Sequence, residues 1–204
     1  MVSENIKIRV KFTKTGRLKF ISHLDINRTM KSALLRAKMP MWYSEGFNPR
    51  PKVVFALPLS LGVESVCEYM DIRLVERIDF DTMKETFRRT VTDEMAIIDI
   101  YEPETKLTDI GFAEYKFEFD EEIDGEKLKS PIVIMKRSKS GDKEVDIQPL
   151  VKRYEIDGNV MTAVLQADSE NYLSPDYLAK ALTTGGYDIC RINIYMSDGE
   201  TLFR

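Results

Sequence analysis

The first part of the chain alternates apolar and basic residues and then changes to a helical period. Residues 6–12 read Ile-Lys-Ile-Arg-Val-Lys-Phe, a period of two that predicts a strand with one buried face. Over residues 26–37 the apolar positions recur every three or four residues, which predicts an amphipathic helix. Ser22 and Asp25 fit a capping box at the start of this helix, and Pro40 is expected to stop it.

The following residues complete a recognisable order of elements. Strands are predicted at 52–57, 66–74 and 96–101, with a second amphipathic helix between the last two that ends at about residue 89. The resulting order is β-α-β-β-α-β, which is the split βαβ or ferredoxin-like pattern. The first part of the chain is therefore predicted to be one α+β domain.

A polar segment that begins Glu102-Pro103-Glu104 separates this domain from the rest of the chain. The second part has predicted strands at 114–119, 132–137, 145–154, 160–166 and 188–196, a hairpin turn at 157–159, and a helix that opens at Ser174-Pro175. The first order partly repeats here, with a weak first helix. We therefore predict an α+β fold of two tandem ferredoxin-like units, the second distorted, with domains at 1–103 and 104–204.

The composition excludes several classes of protein. No apolar run approaches the roughly 20 residues of a membrane helix, so a cytoplasmic protein without membrane contact is expected. The chain has one histidine and two distant cysteines, Cys67 and Cys190, so a Cys/His zinc or iron–sulfur site is not expected. No catalytic or nucleotide-binding motif is present, so we predict no cofactor, no metal and no enzyme signature. An all-carboxylate magnesium site stays open.

The charge is distributed unevenly along the chain. Residues 1–58 carry 12 Lys and Arg against 3 Asp and Glu, whereas residues 59–204 carry 18 against 31. A basic segment in an otherwise acidic protein indicates a polyanion partner more strongly than the net charge of −4 argues against one. The alternative is that these lysines and arginines are solvated charges that aid solubility.

Two segments could form the polyanion site. The basic turn, residues 14–20, directly precedes a helix N-terminus, where free backbone N–H groups favour anions. The aromatic loop, residues 42–52, offers three rings to unpaired bases and two cations to the backbone of a nucleic acid, unless the rings fill the core instead. The predicted RNA-binding residues are Lys14, Arg17, Lys19, His23, Arg28, Lys31, Tyr43, Phe47, Arg50 and Lys52.

His23 stands at the first turn of the helix and has three possible roles. It can pack as a structural residue, contact a ligand, or act as a general base toward a ribose hydroxyl. No second histidine exists to complete a two-histidine ribonuclease site. Tyr43 or a lysine could take the place of that second histidine, and His23 is the catalytic candidate.

Three segments resemble a known bacterial family. They read Lys-Thr-Gly-Arg-Leu-Lys-Phe-Ile-Ser-His-Leu-Asp at 14–25, Ser-Glu-Gly-Phe-Asn-Pro-Arg-Pro-Lys at 44–52 and Phe-Ala-Leu-Pro-Leu-Ser-Leu-Gly-Val-Glu-Ser at 55–65. These segments resemble the radical-SAM-linked domain family of unknown function, a domain encoded beside or fused to a radical SAM protein. Its gene often lies near those for ribonuclease G and ribosomal proteins. Because this chain has no Cys-x3-Cys-x2-Cys motif, the resemblance implies a radical SAM partner in trans.

These observations lead to one preferred function and two alternatives. The preferred function is an RNA-binding accessory protein that presents tRNA or rRNA to a radical SAM modification enzyme. One alternative is a metal-independent endoribonuclease that uses His23, by fold analogy with the repeat-processing endonucleases of CRISPR systems. Those enzymes have a C-terminal glycine-rich loop, to which only the pair Gly185-Gly186 corresponds here. The other is a protein-docking subunit of a radical SAM system that makes no RNA contact.

Overall fold

The computed structural model describes residues 5–136 and 141–204. Residues 1–4 and 137–140 lie outside that description, and with them the end of the strand predicted at 132–137. The chain divides into two compact units, which we call unit 1 (residues 1–106 with Arg204) and unit 2 (residues 107–203).

Unit 1 is an antiparallel sheet with two helices. Its elements are β1 (Ile6–Lys14), α1 (His23–Arg36), β2 (Val53–Phe55), β3 (Val63–Leu74), α2 (Phe80–Arg88) and β4 (Ile97–Tyr101). The strands pair in the order β4-β1-β3-β2. The sequence of strands and helices is the predicted one, although β2 is shorter than expected and β3 begins three residues earlier.

The core of unit 1 lies between the helices and one face of the sheet. β1 contributes Ile8, Val10 and Phe12 to the buried cluster, and both helices pack against the same cluster. At the start of α1, Ser22 Oγ accepts a hydrogen bond from the Asp25 N–H at 3.2 Å and donates to Asp25 Oδ2 at 2.6 Å. The predicted N-cap at Ser22 is confirmed, and Asp25 meets the Ser22 hydroxyl rather than the backbone N–H that a full capping box would use. The helix ends at Arg36, before Pro40 is reached.

A buried ion pair lies on the strands of unit 1. Arg9 is fully buried and donates from Nε to Asp71 Oδ1 at 2.7 Å and from Nη2 to Asp71 Oδ2 at 3.0 Å. Its Nη1 donates to Thr105 Oγ1 at 2.7 Å and to the carbonyl of Arg204 at 3.1 Å. The basic residue at position 9 therefore serves the fold, because all of these partners belong to the protein itself.

Unit 2 has four antiparallel strands that pair side by side, one α-helix and a separate hairpin. Its elements are β5 (Ile110–Phe119), β6 (Val133–Lys136), β7 (Lys143–Asp146), β8 (Val151–Asp157), β9 (Val160–Gln166), α3 (Pro175–Leu182) and β10 (Tyr187–Met196). The sheet order is β10-β5-β9-β8, and β6 pairs with β7 alone among the described residues.

The segment before the β8–β9 hairpin differs from its prediction, whereas the hairpin turn itself agrees with it. The strand predicted at 145–154 is in fact two strands, β7 and β8, separated by a 3₁₀ turn at Gln148–Leu150. Pro149 in that turn has no N–H to donate to a sheet, which explains the break. The predicted hairpin turn is present, with Gly158 at a φ of +60° between β8 and β9.

The weak first helix predicted for unit 2 is not an α-helix. Between β5 and β8 the described residues form a 3₁₀ turn at Gly125–Leu128 and the β6–β7 hairpin. α3 is therefore the single α-helix of unit 2 within the part of the chain that the structure describes. It buries Leu178, Ala179 and Leu182 in the core of the unit.

Candidate nucleic-acid interface

Lys14, the first predicted RNA-binding residue, is not on the surface. Its side chain is fully buried at the end of β1, with Nζ 3.5 Å from the carbonyl oxygen of Lys19. A buried ammonium that donates to the protein backbone is not available to a phosphate. The alternation that buries Ile8, Val10 and Phe12 puts position 14 in the same phase, so the period of two in β1 already indicates that Lys14 faces the core.

The backbone N–H groups of the basic turn already have anionic partners. The Gly16 N–H donates to Glu64 Oε1 at 3.0 Å, and the Arg17 N–H donates to Glu94 Oε1 at 3.0 Å. Gly16 has a φ of +59°, and a Cβ at this position would lie 2.4 Å from Glu94 Oε1. Carboxylates from distant parts of the chain therefore occupy these two N–H groups, which are not open to a phosphate.

The start of α1 is likewise capped by the protein itself. Ser22 provides the cap, and Asp25 stands in the first turn, where a negative charge favours the helix dipole. Arg28 Nη1 lies 3.4 Å from Asp25 Oδ1 in an exposed ion pair. Such a pair is worth about 0–1 kcal/mol, so Arg28 can exchange this partner for a phosphate at low cost.

His23 and the edge of the sheet come together at this end of unit 1. The exposed His23 ring lies edge-on to Phe55 of β2, with ring centroids 5.1 Å apart and an interplanar angle of 82°. Phe55 in turn contacts the buried Phe12 at 6.1 Å. His23 is thus held by aromatic packing while one side of its ring faces solvent, which suits contact with a ligand.

Two exposed apolar residues that sequence reasoning missed lie at the basic turn: Phe20 within it and Leu61 beside it. Phe20 is 67% exposed and Leu61 is 65% exposed. The Gly62 N–H donates to the Lys19 carbonyl at 2.8 Å, which places Leu61 beside the turn. Lys19 Nζ lies 5.5 Å from the centroid of the Phe20 ring. This pair adds an apolar contact surface to Arg17 and Lys19.

The outward direction of Phe20 has a local cause. Residues Gly16–Phe20 form a 3₁₀ helix, whose period is close to three residues. Leu18 and Ile21, three residues apart, pack against the core, and Phe20 consequently points to solvent. The apolar positions 18 and 21, three residues apart, are the sequence signal that could have found Phe20 on the surface.

α1 continues this surface with a mixed stripe. Leu24, Arg28, Lys31 and Leu35 follow one another at intervals of four, three and four residues, so they lie on one face of the helix. Both leucines and Arg28 are exposed, and Lys31 is half-buried. The two predicted cations on α1 therefore share one solvent-facing side of the helix.

The aromatic loop is closed at its base and open at its tip. The Ser44 N–H donates to the Arg50 carbonyl at 3.0 Å, and the Arg50 N–H donates to Ser44 Oγ at 3.1 Å. Phe47 at the tip is fully exposed. Arg50 and Lys52, which follow it in the same loop, are also exposed.

The other two aromatics of the loop differ from Phe47. Tyr43 is exposed at the base of the loop, in a bridge with Pro51. Trp42 is half-buried, and its ring centroid lies 5.9 Å from the guanidinium carbon of Arg73. One interpretation, that the rings pack against the fold, therefore applies to Trp42. The other, that the rings are open to unpaired bases, applies to the fully exposed Phe47.

The remaining candidates lie in unit 2 and do not form an anion site. The Gly186 N–H donates to Asp120 Oδ2 at 3.0 Å, and the Gly185 N–H donates to Thr183 Oγ1 at 2.9 Å. The glycine pair is therefore occupied by the protein. Across residues 5–136 and 141–204, no three His, Cys, Asp or Glu side chains cluster in a way that could hold a metal ion.

The chain is thus a mixed α/β protein whose first unit has exposed cations and exposed aromatic rings in the same segments. It belongs to the bacterial family described as "Uncharacterized protein conserved in bacteria (DUF2344)", which matches residues 7–175. The match begins in β1 and reaches the start of α3, so it includes both segments of the candidate interface. No curated protein matches the sequence. None of the described helices is long and apolar enough to cross a membrane.

Proposed function

We propose that this protein binds RNA through unit 1 and presents it, in the cytoplasm, to a radical SAM modification enzyme. The observation that carries the proposal is the exposure of Phe20 and Phe47, each in a segment that also carries cations: Arg17 and Lys19 in the basic turn, and Arg50 in the aromatic loop. Cations that follow a phosphate backbone and rings on which unpaired bases stack are the two parts of a single-strand RNA site.

The radical SAM partner and the choice of tRNA or rRNA rest on the family resemblance. The three segments that carry the resemblance form the basic turn with the start of α1, the aromatic loop, and the connection from β2 to β3. These are the segments that expose Phe20, Phe47 and Leu61. The resemblance therefore follows the candidate surface, which supports a shared binding role for it.

We also infer that both units are versions of the ferredoxin-like fold. Unit 1 has the strand order β4-β1-β3-β2, and in unit 2 the order β10-β5-β9-β8 repeats it when β5, β8, β9 and β10 are counted as first to fourth strands. The β6–β7 hairpin replaces the first helix of the second unit. The exposed rings of the proposed site lie in a turn and a loop of unit 1 rather than on its sheet.

The test replaces three exposed cations of the surface and compares an equal change elsewhere. The site variant is Arg17→Ala, Arg28→Ala and Arg50→Ala together; Lys14 is left out because it is buried. The control variant is Arg77→Ala, Arg89→Ala and Lys129→Ala, three exposed cations on other elements with the same loss of charge. Binding of unfractionated tRNA and of rRNA fragments is measured from 50 to 200 mM salt.

The site variant should bind at least tenfold more weakly than wild type. If all three cations contact phosphates of a single strand, the slope of log K against log salt should fall in magnitude by roughly 2. The control variant should match wild type in affinity and in the slope of log K against log salt. Equal losses in the two variants would show attraction by net charge alone, and full binding by the site variant would refute the proposed surface.

A second function is favoured by the aliphatic part of the same surface. Leu24 and Leu61 are exposed near the basic turn, and aliphatic side chains suit a protein surface better than a nucleic acid. In this alternative the surface docks directly on the radical SAM protein. Co-purification of that protein after exhaustive nuclease treatment, with no affinity for RNA in the binding assay, would favour docking over RNA presentation.

A further inference from the structure

A groove in unit 2 lies outside the candidate RNA surface. Its volume is about 790 Å³, which is within the range of roughly 300–1,000 Å³ typical of ligand clefts. One wall is a run of consecutive residues, 130–135, that includes most of β6, and the other is formed by Tyr177, Lys180 and Ala181 of α3. Lys127 Nζ donates to the Leu182 carbonyl at 2.9 Å and ties the Gly125–Leu128 turn to the end of the helix.

The wall formed by β6 is a strand edge. Within the described residues β6 pairs with β7 alone, and the Ile147 N–H donates to the Ile132 carbonyl at 2.9 Å. In an antiparallel pair, alternate residues direct both backbone polar groups to the partner strand. Ile132 and Ile134 therefore direct theirs to β7, and Val133 and Met135 direct their N–H and C=O groups away from β7.

The side chains on this edge are apolar and uncovered. Val133 is 57% exposed and Met135 is 53% exposed. A two-stranded hairpin is marginally stable alone, and a third strand would supply both backbone partners and apolar contacts. The hairpin of unit 2 has four residues in each strand, and its β6 edge is able to accept a third strand.

The charges around the groove argue against a polyanion as its ligand. Asp124 and Glu126 line it together with Lys127 and Lys180, so the two signs balance. Lys180 Nζ is 2.6 Å from Asp176 Oδ2, and Glu126 is paired with Lys129, also at 2.6 Å. Recognition in this groove therefore depends on backbone hydrogen bonds and apolar side chains rather than on net charge.

We propose that this groove binds an extended peptide segment of a partner protein, which adds to β6 as a third strand. The peptide backbone pairs with the outward groups of Val133 and Met135, about 4.8 Å from β6. Its alternate side chains are apolar and pack against the exposed side chains of β6 and against Tyr177 and Ala181. The site is independent of the proposed RNA function.

Two proline variants separate this edge from the hairpin itself. In Met135→Pro the lost N–H is one that points away from β7, so pairing with β7 is retained while one hydrogen bond to the proposed peptide is removed. The matched control is Glu144→Pro, directly across the pair from Met135, whose N–H points out of the other edge of the hairpin. Circular dichroism and thermal unfolding establish that both variants are folded.

The probe is a displayed library of random octapeptides, selected on the full chain. Selection should enrich peptides with apolar residues at alternate positions, and Met135→Pro should weaken the binding of a selected peptide at least tenfold while Glu144→Pro leaves it unchanged. Methylating the peptide backbone nitrogens that face β6 should abolish binding, and methylating the intervening nitrogens should not. The proposal is overturned if no peptide is enriched, if Met135→Pro binds as wild type does, or if both sets of methylated peptides bind alike.

Discussion

The charged residues of unit 1 divide into those that hold the fold and those that face a partner. Arg9 and Lys14 are fully buried and bonded within the protein, although they belong to the same basic segment as the exposed Arg17 and Arg50. Removal of one partner of a buried ion pair leaves the other charge uncompensated. Removal of an exposed ion pair has little effect on the free energy of unfolding.

The first prediction concerns the buried pair. Asp71→Asn keeps the shape of the side chain and should lower the free energy of unfolding by about 3–5 kcal/mol, because Arg9 would remain buried without a full counter-charge. Urea unfolding gives the value. Glu102→Gln, which removes the exposed partner of Arg77, is the control and should change stability by less than about 1 kcal/mol. Equal effects of the two substitutions would contradict the assignment.

The second prediction concerns acid pH. The side-chain hydrogen bond from Thr201, followed by the N–H groups of Glu200 and Thr201, lowers the pKa of Asp198 from 3.8 to about 2. Because the pKa is lower in the folded state, the ionised turn stabilises the protein above about pH 4, and this contribution is lost as the pH falls toward 2. The difference in Tm between wild type and Asp198→Asn should therefore shrink over that window. A difference that stays constant from pH 5 to pH 2 would contradict it.

At the scale of elements, the features that depend only on neighbouring residues could be predicted from the sequence. The period of two in β1, the Ser22 cap of α1 and the two-residue hairpin turn at Gly158 were predictable from the sequence, since each depends on neighbouring residues. The partners of Gly16 and Arg17 were not readable. Glu64 and Glu94 lie 48 and 77 residues further along the chain, and only the folded sheet brings them to the basic turn.

These two carboxylates lead to a third prediction. Glu64→Gln and Glu94→Gln keep an oxygen that can accept the backbone N–H, but each removes a negative charge from the edge of the proposed RNA surface. Each substitution should strengthen RNA binding about two- to fivefold at low salt, since one unit charge about 4 Å from another is worth about 1 kcal/mol in water. Fluorescence titration measures the change. Asp81→Gln on α2, an exposed acid on another element, should have no effect; weaker binding by both glutamate variants would count against the surface.

The aromatic loop gives a fourth prediction. Phe47→Ala should leave the free energy of unfolding within about 0.5 kcal/mol of wild type, because the side chain is fully exposed. The same substitution should lower RNA affinity about 5- to 100-fold through the loss of about 1–3 kcal/mol of base stacking. Leu202→Ala, an exposed apolar residue in unit 2, serves as the control. Unchanged affinity in Phe47→Ala would remove the loop from the site.

At the scale of the whole molecule, the sequence predicted the mixed α/β composition and the strands and helices of unit 1 in their order. It did not predict that a hairpin stands between β5 and β8. Residues 132–137 and 145–154 are β-prone, and no local pattern tells whether such segments join the main sheet or pair with each other. The uneven charge was visible in the sequence, whereas the division of the basic residues between core and surface required the folded structure.

The most direct test of RNA presentation is crosslinking and immunoprecipitation of this protein from its native cell, followed by sequencing of the bound RNA. We expect enrichment of a defined tRNA or rRNA segment with wild type, loss of that enrichment with the Arg17, Arg28 and Arg50 triple variant, and retention with the Arg77, Arg89 and Lys129 control. Recovery of no RNA above background, or of the same RNA with the triple variant, would contradict the central claim that unit 1 binds RNA through this surface.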